Sequence, residues 1–247
     1  MRGLGLLERG GLERWIADAP SAGTGRTHTA LVTLGDDGPR VVVRQLHHGG
    51  LLGSVLGARY ARPARVIREL EVTAGLRAAG APVPDPVLAL ARRRGVGFAL
   101  AIATVHEADT VDALTFLEGA ATPGQLERAA AAAGTAVHRF HDAGGLHADL
   151  HVKDLLIREA GADTEAIVID LDRARRAAPP APRRRAAELG RLWRSLWKRG
   201  VAERVGHRGA AAFLAAYCAG DHELREALAA RLPAERRKAR LHALRYR

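Results

Sequence analysis

The hydrophobic pattern of the sequence changes near residue 107, and this change constrains the fold more than any other feature. Before it, apolar residues alternate with polar ones or form short β-branched runs, which is typical of strands. After it, apolar residues recur mostly at helical spacing in alanine-rich stretches. A chain of 247 residues is long enough for one large domain or a two-lobed one. We therefore expect an α+β fold with a small β-rich lobe at residues 1–106 and a larger helical lobe at residues 107–247.

Two strand pairs flank one helix in the predicted N-terminal lobe. Alternation and β-branched runs indicate the strands, and turn residues separate them. A proline that can open a helix precedes apolar residues at helical spacing. In order, the predicted elements are a hairpin at residues 27–34 and 41–43, a helix from Pro63 to Gly80, and strands at residues 87–90 and 98–105 joined by a basic turn at residues 92–95.

The predicted C-terminal lobe is helical with one short β passage. An alanine-rich helix at residues 123–142 ends just before a pair of glycines. Residues 155–157 and 166–169 are apolar and β-branched, with a polar loop at residues 158–165 between them. Beyond residue 182 the pattern is helical to the end.

Several protein classes are excluded by the sequence. No apolar run is long enough to span a membrane. Glu8 and Glu13 interrupt the apolar residues at the start, so no signal peptide is expected. Cys218 is the single cysteine, which rules out an internal disulfide and fits a reducing compartment. We therefore expect a cytoplasmic protein.

Positive charge is concentrated in the C-terminal third. Residues 173–247 hold 20 basic and 6 acidic side chains, although the whole chain carries only +11. Such a segment favours an anionic partner: nucleic acid, a membrane surface or a phosphorylated substrate. A solvated arginine-rich helical surface without a partner stays open as an alternative.

The densest polar cluster lies where the long helix meets the β passage, and two chemistries compete for it. Its four histidines, His138, His141, His147 and His151, could supply zinc ligands. Their spacing matches no recognised zinc motif such as H-E-x-x-H. Histidines that are exposed or that cap helices are the favoured alternative to a zinc site.

Phosphoryl transfer is the second interpretation of this cluster. Residues 147–154, His-Ala-Asp-Leu-His-Val-Lys-Asp, resemble a kinase catalytic loop of the H-x-D-L-x-x-x-N kind. This chemistry needs one carboxylate beside the acceptor hydroxyl and others on the magnesium that bridges the nucleotide phosphates. Asp149 lies where the first is needed, and Asp154 and Asp170 lie where the metal ligands are needed.

Two residues of the N-terminal lobe fit the same chemistry. Arg44 ends the second predicted strand, where a kinase keeps a phosphate-contacting cation. Glu69 lies on the following helix and can pair with it. Because five elements occur in the expected order, the pattern favours a kinase more strongly than any single motif would.

At these residues the chain resembles the lipopolysaccharide kinases of the protein-kinase-like superfamily, most closely those that act on 3-deoxy-D-manno-octulosonic acid (Kdo). The resemblance extends from about residue 25 to residue 199. It is carried by Val42-Val43-Arg44-Gln45 with Gly49-Gly50-Leu51-Leu52-Gly53, by Arg68-Glu69-Leu70, by Ala81-Pro82-Val83-Pro84-Asp85-Pro86, by His141-Asp142-Ala143-Gly144-Gly145-Leu146-His147-Ala148-Asp149-Leu150, and by Val168-Ile169-Asp170-Leu171-Asp172-Arg173.

The resemblance implies a protein-kinase-like two-lobed fold, with one main helix in the small lobe. It implies ATP-dependent transfer of phosphate to a hydroxyl of the Kdo sugar on a lipid A precursor, at the cytoplasmic face of the inner membrane. The implied cofactors are ATP and Mg²⁺, with Mn²⁺ as a substitute. The implied partners are the Kdo-lipid A precursor and the anionic membrane surface, against which we expect the basic residues of 183–199, with Trp193 and Trp197, to lie.

The resemblance also implies a role for individual residues. Asp149 would be the catalytic aspartate and Asp170 a magnesium ligand. Arg44 would replace the usual strand lysine, and Glu69 would be its partner.

Three positions depart from the family pattern. Asp154 and His151 each stand where the family has asparagine, although a carboxylate at Asp154 can still bind magnesium. The candidate glycine-rich loop ahead of the first strand has only Gly23 and Gly25, for which a flexible linker is an equal alternative.

Other functions stay open on the sequence alone. A non-catalytic nucleotide-binding pseudokinase would explain Asp154 and the sparse glycines, but not the presence of both Asp149 and Asp170. A nucleic-acid-binding protein would explain the basic C-terminal third, but aromatic residues, at 4%, are too few for the usual stacking platforms. A protein kinase is disfavoured because no A-P-E segment follows Asp170.

Overall fold

A computed structural model describes residues 29–34, 38–46, 60–160, 163–234 and 237. The described residues divide into two compact units. The first unit draws on Met1–Ala74 and Pro84–Glu107, and the second on Gly75–Val83 and Ala108–Arg247. No described helix combines the length and the apolar character that crossing a membrane would need.

In its described residues, the first unit consists of a four-stranded antiparallel sheet and most of one helix. The predicted order of two strands, one helix and two strands is confirmed. Neighbouring strands pair in the order β1-β2-β4-β3. The elements are β1 (Thr29–Thr33), β2 (Arg40–Gln45), α1 (Ala64–Ala78), β3 (Pro86–Arg94) and β4 (Gly97–Val105).

Alternate side chains of strand β2 lie on opposite faces of the sheet. Val41 and Val43 are fully buried in an apolar cluster on one face of the sheet. On the other face, Ile102 packs against Val66 of α1. Arg44 is paired with Ile102 in the strand register, so its side chain emerges on the face that α1 covers.

The described residues of the second unit form five α-helices and two small sheets. Strands β5, β7 and β8 form an antiparallel sheet, and β6 pairs with β9. The strands are β5 (Thr110–Asp112), β6 (Gly145–Leu146), β7 (Leu155–Ala160), β8 (Asp163–Val168) and β9 (Arg175–Arg176). The helices are α2 (Ala113–Glu118), α3 (Pro123–Asp142), α4 (Pro182–Lys198), α5 (Ala202–Cys218) and α6 (His222–Ala229).

Two predicted connections are wrong because polar residues there belong to strands. Strand β3 continues through the arginines of the predicted basic turn at residues 92–95, and Gly95 and Val96 alone make the turn. The predicted polar loop at residues 158–165 is mostly the ends of β7 and β8, where Arg158 Nη1 donates to Glu165 Oε2 over 3.1 Å. Opposite charges across an exposed strand pair stabilise it, and hydrophobic periodicity does not detect them.

Helix α3, which leads to the catalytic-loop candidate, has the predicted limits. At its start, Thr122 and Gln125 form a capping box, with Pro123 in the first turn. At its end, Gly144 has φ +85°, and a Cβ there would lie 1.8 Å from the carbonyl oxygen of Ala177. The chain must therefore turn at a glycine before it enters the loop.

Helices α3 and α5 approach each other closely at Gly134. A Cβ on Gly134 would lie 2.3 Å from the carbonyl oxygen of Phe213, which is backbone and cannot rotate away. We expect Gly134→Ala to lower the free energy of unfolding by about 1–3 kcal/mol, as overpacking does.

The matched control is Gly124→Ala on the same helix, where the added Cβ would meet only the Arg128 guanidinium at 3.7 Å. That variant should be neutral or more stable by up to about 1 kcal/mol, because alanine has the higher helix propensity. Thermal unfolding measures both variants, and equal stability of the two would contradict the close approach.

Candidate active site

The first unit contains the ion pair that the sequence predicts. Arg44 Nη2 donates to Glu69 Oε1, and the two side chains are 19% and 3% exposed. Glu69 lies on the inner face of α1, where Thr73 Oγ1 donates to the Glu69 carbonyl oxygen over 2.8 Å. Removing one partner of a pair so buried typically costs about 3–5 kcal/mol, so each residue holds the other in place.

The loop at residues 147–154 in the second unit is held at its buried positions. Leu150 and Val152 are 1% and 3% exposed. The Val152 N–H donates to Ser195 Oγ of α4 over 2.9 Å. His147, which is 2% exposed, donates from Nε2 to the carbonyl oxygen of Ile169 over 3.0 Å. These contacts tie the loop to α4 and to the end of β8.

Asp149 projects from this loop toward solvent. Its side chain is 49% exposed. Arg173 Nη1 lies 3.7 Å from Asp149 Oδ2, and His151 Nε2 lies 3.6 Å from Asp149 Oδ1. An exposed carboxylate on a loop with buried anchors can meet the hydroxyl of an incoming molecule and accept its hydrogen bond.

The two departures from the family pattern in this loop contact each other. His151 Nδ1 lies 3.5 Å from Asp154 Oδ2, and the His151 N–H donates to the same oxygen over 2.7 Å. The contact with Asp154 raises the pKa of His151 above its usual value. His151 and Asp154 can therefore balance each other's charge.

Asp154 and Asp170 lie on adjoining segments. The Ile169 N–H donates to the Asp154 carbonyl oxygen over 2.8 Å, and Asp170 follows in the left-handed conformation with φ +59°. Burial raises the pKa of Asp154, the charge of Asp170 adds to that rise, and His151 and His147 oppose it. Carboxylate oxygens of this kind suit Mg²⁺, whose charge would offset the cost of burying Asp154.

The histidines do not form a zinc site in the part of the chain that the structure describes. No three His, Cys, Asp or Glu side chains there lie close enough to hold a metal ion. His138 instead lies 3.0 Å from Asp142, and His141 contacts Glu188 and Tyr217. The favoured alternative, exposed or helix-capping histidines, is wrong for His141 and His147, which are 0% and 2% exposed.

Glu188 and Tyr217 also belong to the hydrogen-bond network around this loop. Neither of them was identified from the sequence. Glu188 is 0% exposed and accepts hydrogen bonds from the backbone of His147 and Ala148. Tyr217 Oη lies 2.7 Å from His141 Nδ1. One signal was available, because Glu188 is the single acid between Asp172 and Glu203. An acid isolated among arginines and apolar residues indicates a buried, paired carboxylate.

Part of the predicted membrane-facing cluster is structural. Arg185 is 7% exposed, donates from Nη2 to Asp142 Oδ1 over 2.7 Å, and donates from Nε to the Pro180 carbonyl oxygen over 2.8 Å. It is therefore not available to a lipid headgroup, and its inclusion in that cluster is wrong. Trp193 and Trp197 do share a helix face, with ring centroids 6.5 Å apart.

Two predicted site residues fall outside the described part of the chain. Gly23 and Gly25, the candidate phosphate-binding glycines, both precede residue 29, where the description begins. Their role stays a prediction.

Comparison with known proteins gives consistent results. The model of the lipopolysaccharide kinase (Kdo/WaaP) family matches residues 13–217. The 3-deoxy-D-manno-octulosonic acid kinase of Xylella fastidiosa (strain M12) is 32% identical over 162 residues, which cover 64% of this chain and 61% of that protein. The kinases of the same name from Xanthomonas euvesicatoria pv. vesicatoria (strain 85-10) and Vibrio vulnificus (strain CMCP6) are 33% and 28% identical, over 61% and 62% of their lengths. The match thus spans about three fifths of these curated relatives.

A solved structure supports the fold. WaaP in complex with acyl carrier protein matches with a TM-score of 0.61 and 24% identity, covering 91% of this chain and 90% of that chain. The predicted protein-kinase-like α+β fold, with a β-rich N-terminal part and a mostly helical C-terminal part, is confirmed.

Proposed function

The chain belongs to the lipopolysaccharide kinase (Kdo/WaaP) family, and we propose that it transfers the γ-phosphate of ATP to a hydroxyl of the Kdo sugar on a lipid A precursor. In this proposal, residues 1–106 cover the nucleotide and residues 107–247 carry the catalytic loop. The observation that carries it is the loop itself, which has buried anchors and presents Asp149 to solvent. The loop ends at Asp154, whose carbonyl oxygen accepts the N–H of Ile169, the residue before Asp170.

Asp149 is proposed to act on the acceptor. Its carboxylate accepts a hydrogen bond from the sugar hydroxyl, orients the oxygen toward the γ-phosphorus and takes the proton late in transfer. The new bond joins that oxygen to phosphorus, and the bond to the leaving oxygen of ADP breaks. The proton passes from Asp149 to solvent.

Arg44 and Glu69 are proposed to place the nucleotide. The Arg44 guanidinium is suited to contact phosphate oxygens, and the buried Glu69 carboxylate holds it in one orientation. Gly23 and Gly25 would cover the phosphates with backbone N–H groups.

Asp154 and Asp170 are proposed to hold Mg²⁺, or Mn²⁺ as a substitute. When bound, the metal ion neutralises charge on the phosphates. The His151 contact lets Asp154 serve in place of the family's asparagine, because it offsets the added negative charge.

The first test incubates the purified chain with labelled ATP, Mg²⁺ and a Kdo-bearing lipid A precursor. Labelled lipid is expected, and chelation of the metal should abolish it. Asp149→Asn should lower turnover by at least about 100-fold, the usual contribution of a general base, with ATP binding nearly unchanged. The matched control is Asp163→Asn, an exposed acid at the start of β8.

Each result of this test has a clear meaning. A near-normal rate for Asp149→Asn would remove Asp149 from the mechanism. ATP binding by the wild type without transfer at any metal concentration would favour the pseudokinase. Nothing in the described residues or the comparisons favours a nucleic-acid-binding protein.

We also propose that the protein works at the cytoplasmic face of the inner membrane, bound to anionic lipid. Support comes from exposed basic residues at both ends of α4, and from Trp197, which is 39% exposed. The basic residues are Arg183, Arg184, Lys198 and Arg199.

Sedimentation with anionic vesicles at low salt tests this surface. Each basic residue near such a membrane contributes about 1 kcal/mol, so Arg183→Gln with Arg184→Gln should weaken binding by up to about 30-fold. The control removes the same charge from exposed Arg62 and Arg128. Equal losses in both double variants would show attraction by net charge alone.

A further proposed partner is an acylated acyl carrier protein. The second unit contains a partly open apolar cavity of about 120 Å³, lined mainly by helices α2 to α5 and also by β7. Residues that line it include Phe116, Leu126, Trp193, Leu196, Ala210 and Phe213. An apolar cavity of about 150 Å³ holds benzene, so this one suits a short hydrocarbon segment. Because WaaP was solved in complex with acyl carrier protein, we assign the cavity to the end of a carried acyl chain.

Substitutions at two adjacent alanines of α5 distinguish binding in the cavity from nonspecific binding. Ala210 lines the cavity, whereas Ala211 is exposed. Ala210→Leu should fill the cavity and weaken binding of acylated carrier protein at least fivefold, while Ala211→Leu should not. Equal affinity of the wild type for acylated and unacylated carrier protein would remove the cavity from this role.

A further inference from the structure

An exposed arginine lies beside the Asp149 carboxylate. Arg173 Nη1 is 3.7 Å from Asp149 Oδ2, and the two side chains are 69% and 49% exposed. An ion pair between two side chains so exposed contributes little to stability. The stability of the fold therefore does not account for a cation at this position.

Two buried neighbours fix the backbone on either side of Arg173. Leu171 and Ala174 are 4% and 3% exposed, and the Ala174 N–H donates to the Leu171 carbonyl oxygen over 2.9 Å. This short turn, Leu171–Arg173, begins directly after Asp170, which has φ +59°. The same turn thus follows a proposed metal ligand at its start and presents an exposed guanidinium at its end.

The carboxylates of the proposed site would repel an acidic acceptor. Asp149 is proposed to meet the acceptor hydroxyl, and Asp154 and Asp170 lie on adjoining segments. A sugar that is an octulosonic acid carries a carboxylate of its own, and like charges repel each other strongly at short range. An enzyme for this sugar therefore needs a cation next to Asp149, where the sugar would bind.

The Arg173 guanidinium has the charge and the shape that a carboxylate requires. A guanidinium has five N–H donors in a planar fork, and it binds carboxylates through two parallel hydrogen bonds. The 3.7 Å contact with Asp149 is longer than a hydrogen bond, so the fork is available to a ligand. Because the two side chains are adjacent, one sugar can contact both.

We propose that Arg173 is a specificity-determining residue: it binds the carboxylate of the acceptor sugar while Asp149 accepts the hydrogen bond of the reacting hydroxyl. The inference rests on the proposed kinase activity and deepens it, because it names the group that distinguishes an acidic sugar from a neutral one. It assigns Arg173 no part in the proton transfer.

Arg173→Gln removes the charge and the fork from an exposed position, so the variant should fold normally. We expect the KM for the Kdo-bearing lipid A precursor to rise at least about tenfold, the usual effect of losing a charge-assisted hydrogen bond. The KM for ATP should stay within about twofold, because the phosphate contacts are assigned to Arg44. Arg173→Lys keeps the charge without the fork and should recover part of the loss.

An altered acceptor tests the same contact from the substrate side. A carboxamide in place of the sugar carboxylate keeps its shape and removes its charge. The wild type should use this acceptor with at least about tenfold lower kcat/KM, as sites built around a polar group do when it is replaced. Arg173→Gln should use the two acceptors within about twofold of each other. Equal discrimination by the wild type and the variant would remove Arg173 from this role.

The matched control is Arg175→Gln, which removes the same charge from an exposed residue two positions further along the chain. Its KM for the acceptor should stay within about twofold of the wild-type value. An equal rise in both variants would show attraction by net charge alone and contradict a specific contact. A lower kcat with an unchanged KM for the acceptor would show that Arg173 only orients Asp149, and would also overturn the proposal.

Phosphate groups of the lipid A precursor are the other anions that Arg173 could bind. An acceptor from which these phosphates have been removed separates the two sources. If Arg173→Gln still raises the KM for this acceptor, the carboxylate is the ligand. If the effect of the substitution disappears there and persists with the carboxamide, a phosphate is the ligand and the proposal is wrong.

A binding measurement without ATP distinguishes the failure of this proposal from the failure of the proposed function. The free Kdo sugar and its carboxamide are titrated against the wild type and Arg173→Gln, and the NMR signals of the sugar report binding. If the wild type transfers no phosphate, the proposed function fails, but a preference for the acid that Arg173→Gln loses still supports the contact. Phosphate transfer without any such preference would leave the proposed function standing and overturn the role of Arg173.

Discussion

Every buried backbone N–H group needs a hydrogen-bond acceptor. This requirement determines the conformation of the loop at residues 147–154. The loop cannot use sheet or helix pairing for these groups, because it turns sharply between β6 and β7. Side chains supply the acceptors instead: Glu188 for His147 and Ala148, Asp154 for His151, and Ser195 for Val152. With the buried groups satisfied, the loop keeps one conformation and can leave Asp149 at the surface.

The same constraint explains how this chain tolerates its departures from the family pattern. The side chain at position 154 accepts the His151 N–H, a task that an asparagine oxygen or an aspartate oxygen performs equally. The carboxylate adds a negative charge in a buried place, and His151 is close enough to offset it. His151 and Asp154 are three residues apart in the sequence and look independent. In the structure they form one local pair of opposite charge.

The net charge of the C-terminal third overstates the positive charge that its surface can offer to a partner, because some of its arginines satisfy backbone carbonyl groups. Several arginines of the basic C-terminal third satisfy carbonyl groups inside the second unit. Buried Arg185 donates to the Pro180 carbonyl oxygen, and Arg204, although exposed, donates to the carbonyl oxygens of Leu117 and Gly119 at the end of α2. Arginine suits this work because its fork of donors reaches two acceptors at once. A buried arginine such as Arg185 raises the net charge, but its guanidinium is not accessible to a partner.

Elements with local signals could be predicted from the sequence. Helix α3 carries its own start in the Thr122–Gln125 capping box and its own end at Gly144, and the strand that contains Arg44 carries a run of three valines. The kinase-like order of these elements also predicted the Arg44–Glu69 pair, because a kinase pairs a cation of this strand with an acid of the next helix.

Only the tertiary structure decided which residues hold the loop. The contacts of Glu188 with Ala148 and of Tyr217 with His141 join residues 40 and 76 positions apart. The two-residue strands β6 and β9 likewise exist only because Gly145 meets Arg176. Periodicity and caps act over one or two turns of chain, so they determine which segments become helices and strands. Packing of α3, α4 and α5 around the loop determines which buried polar group meets which, and hence where Asp149 points.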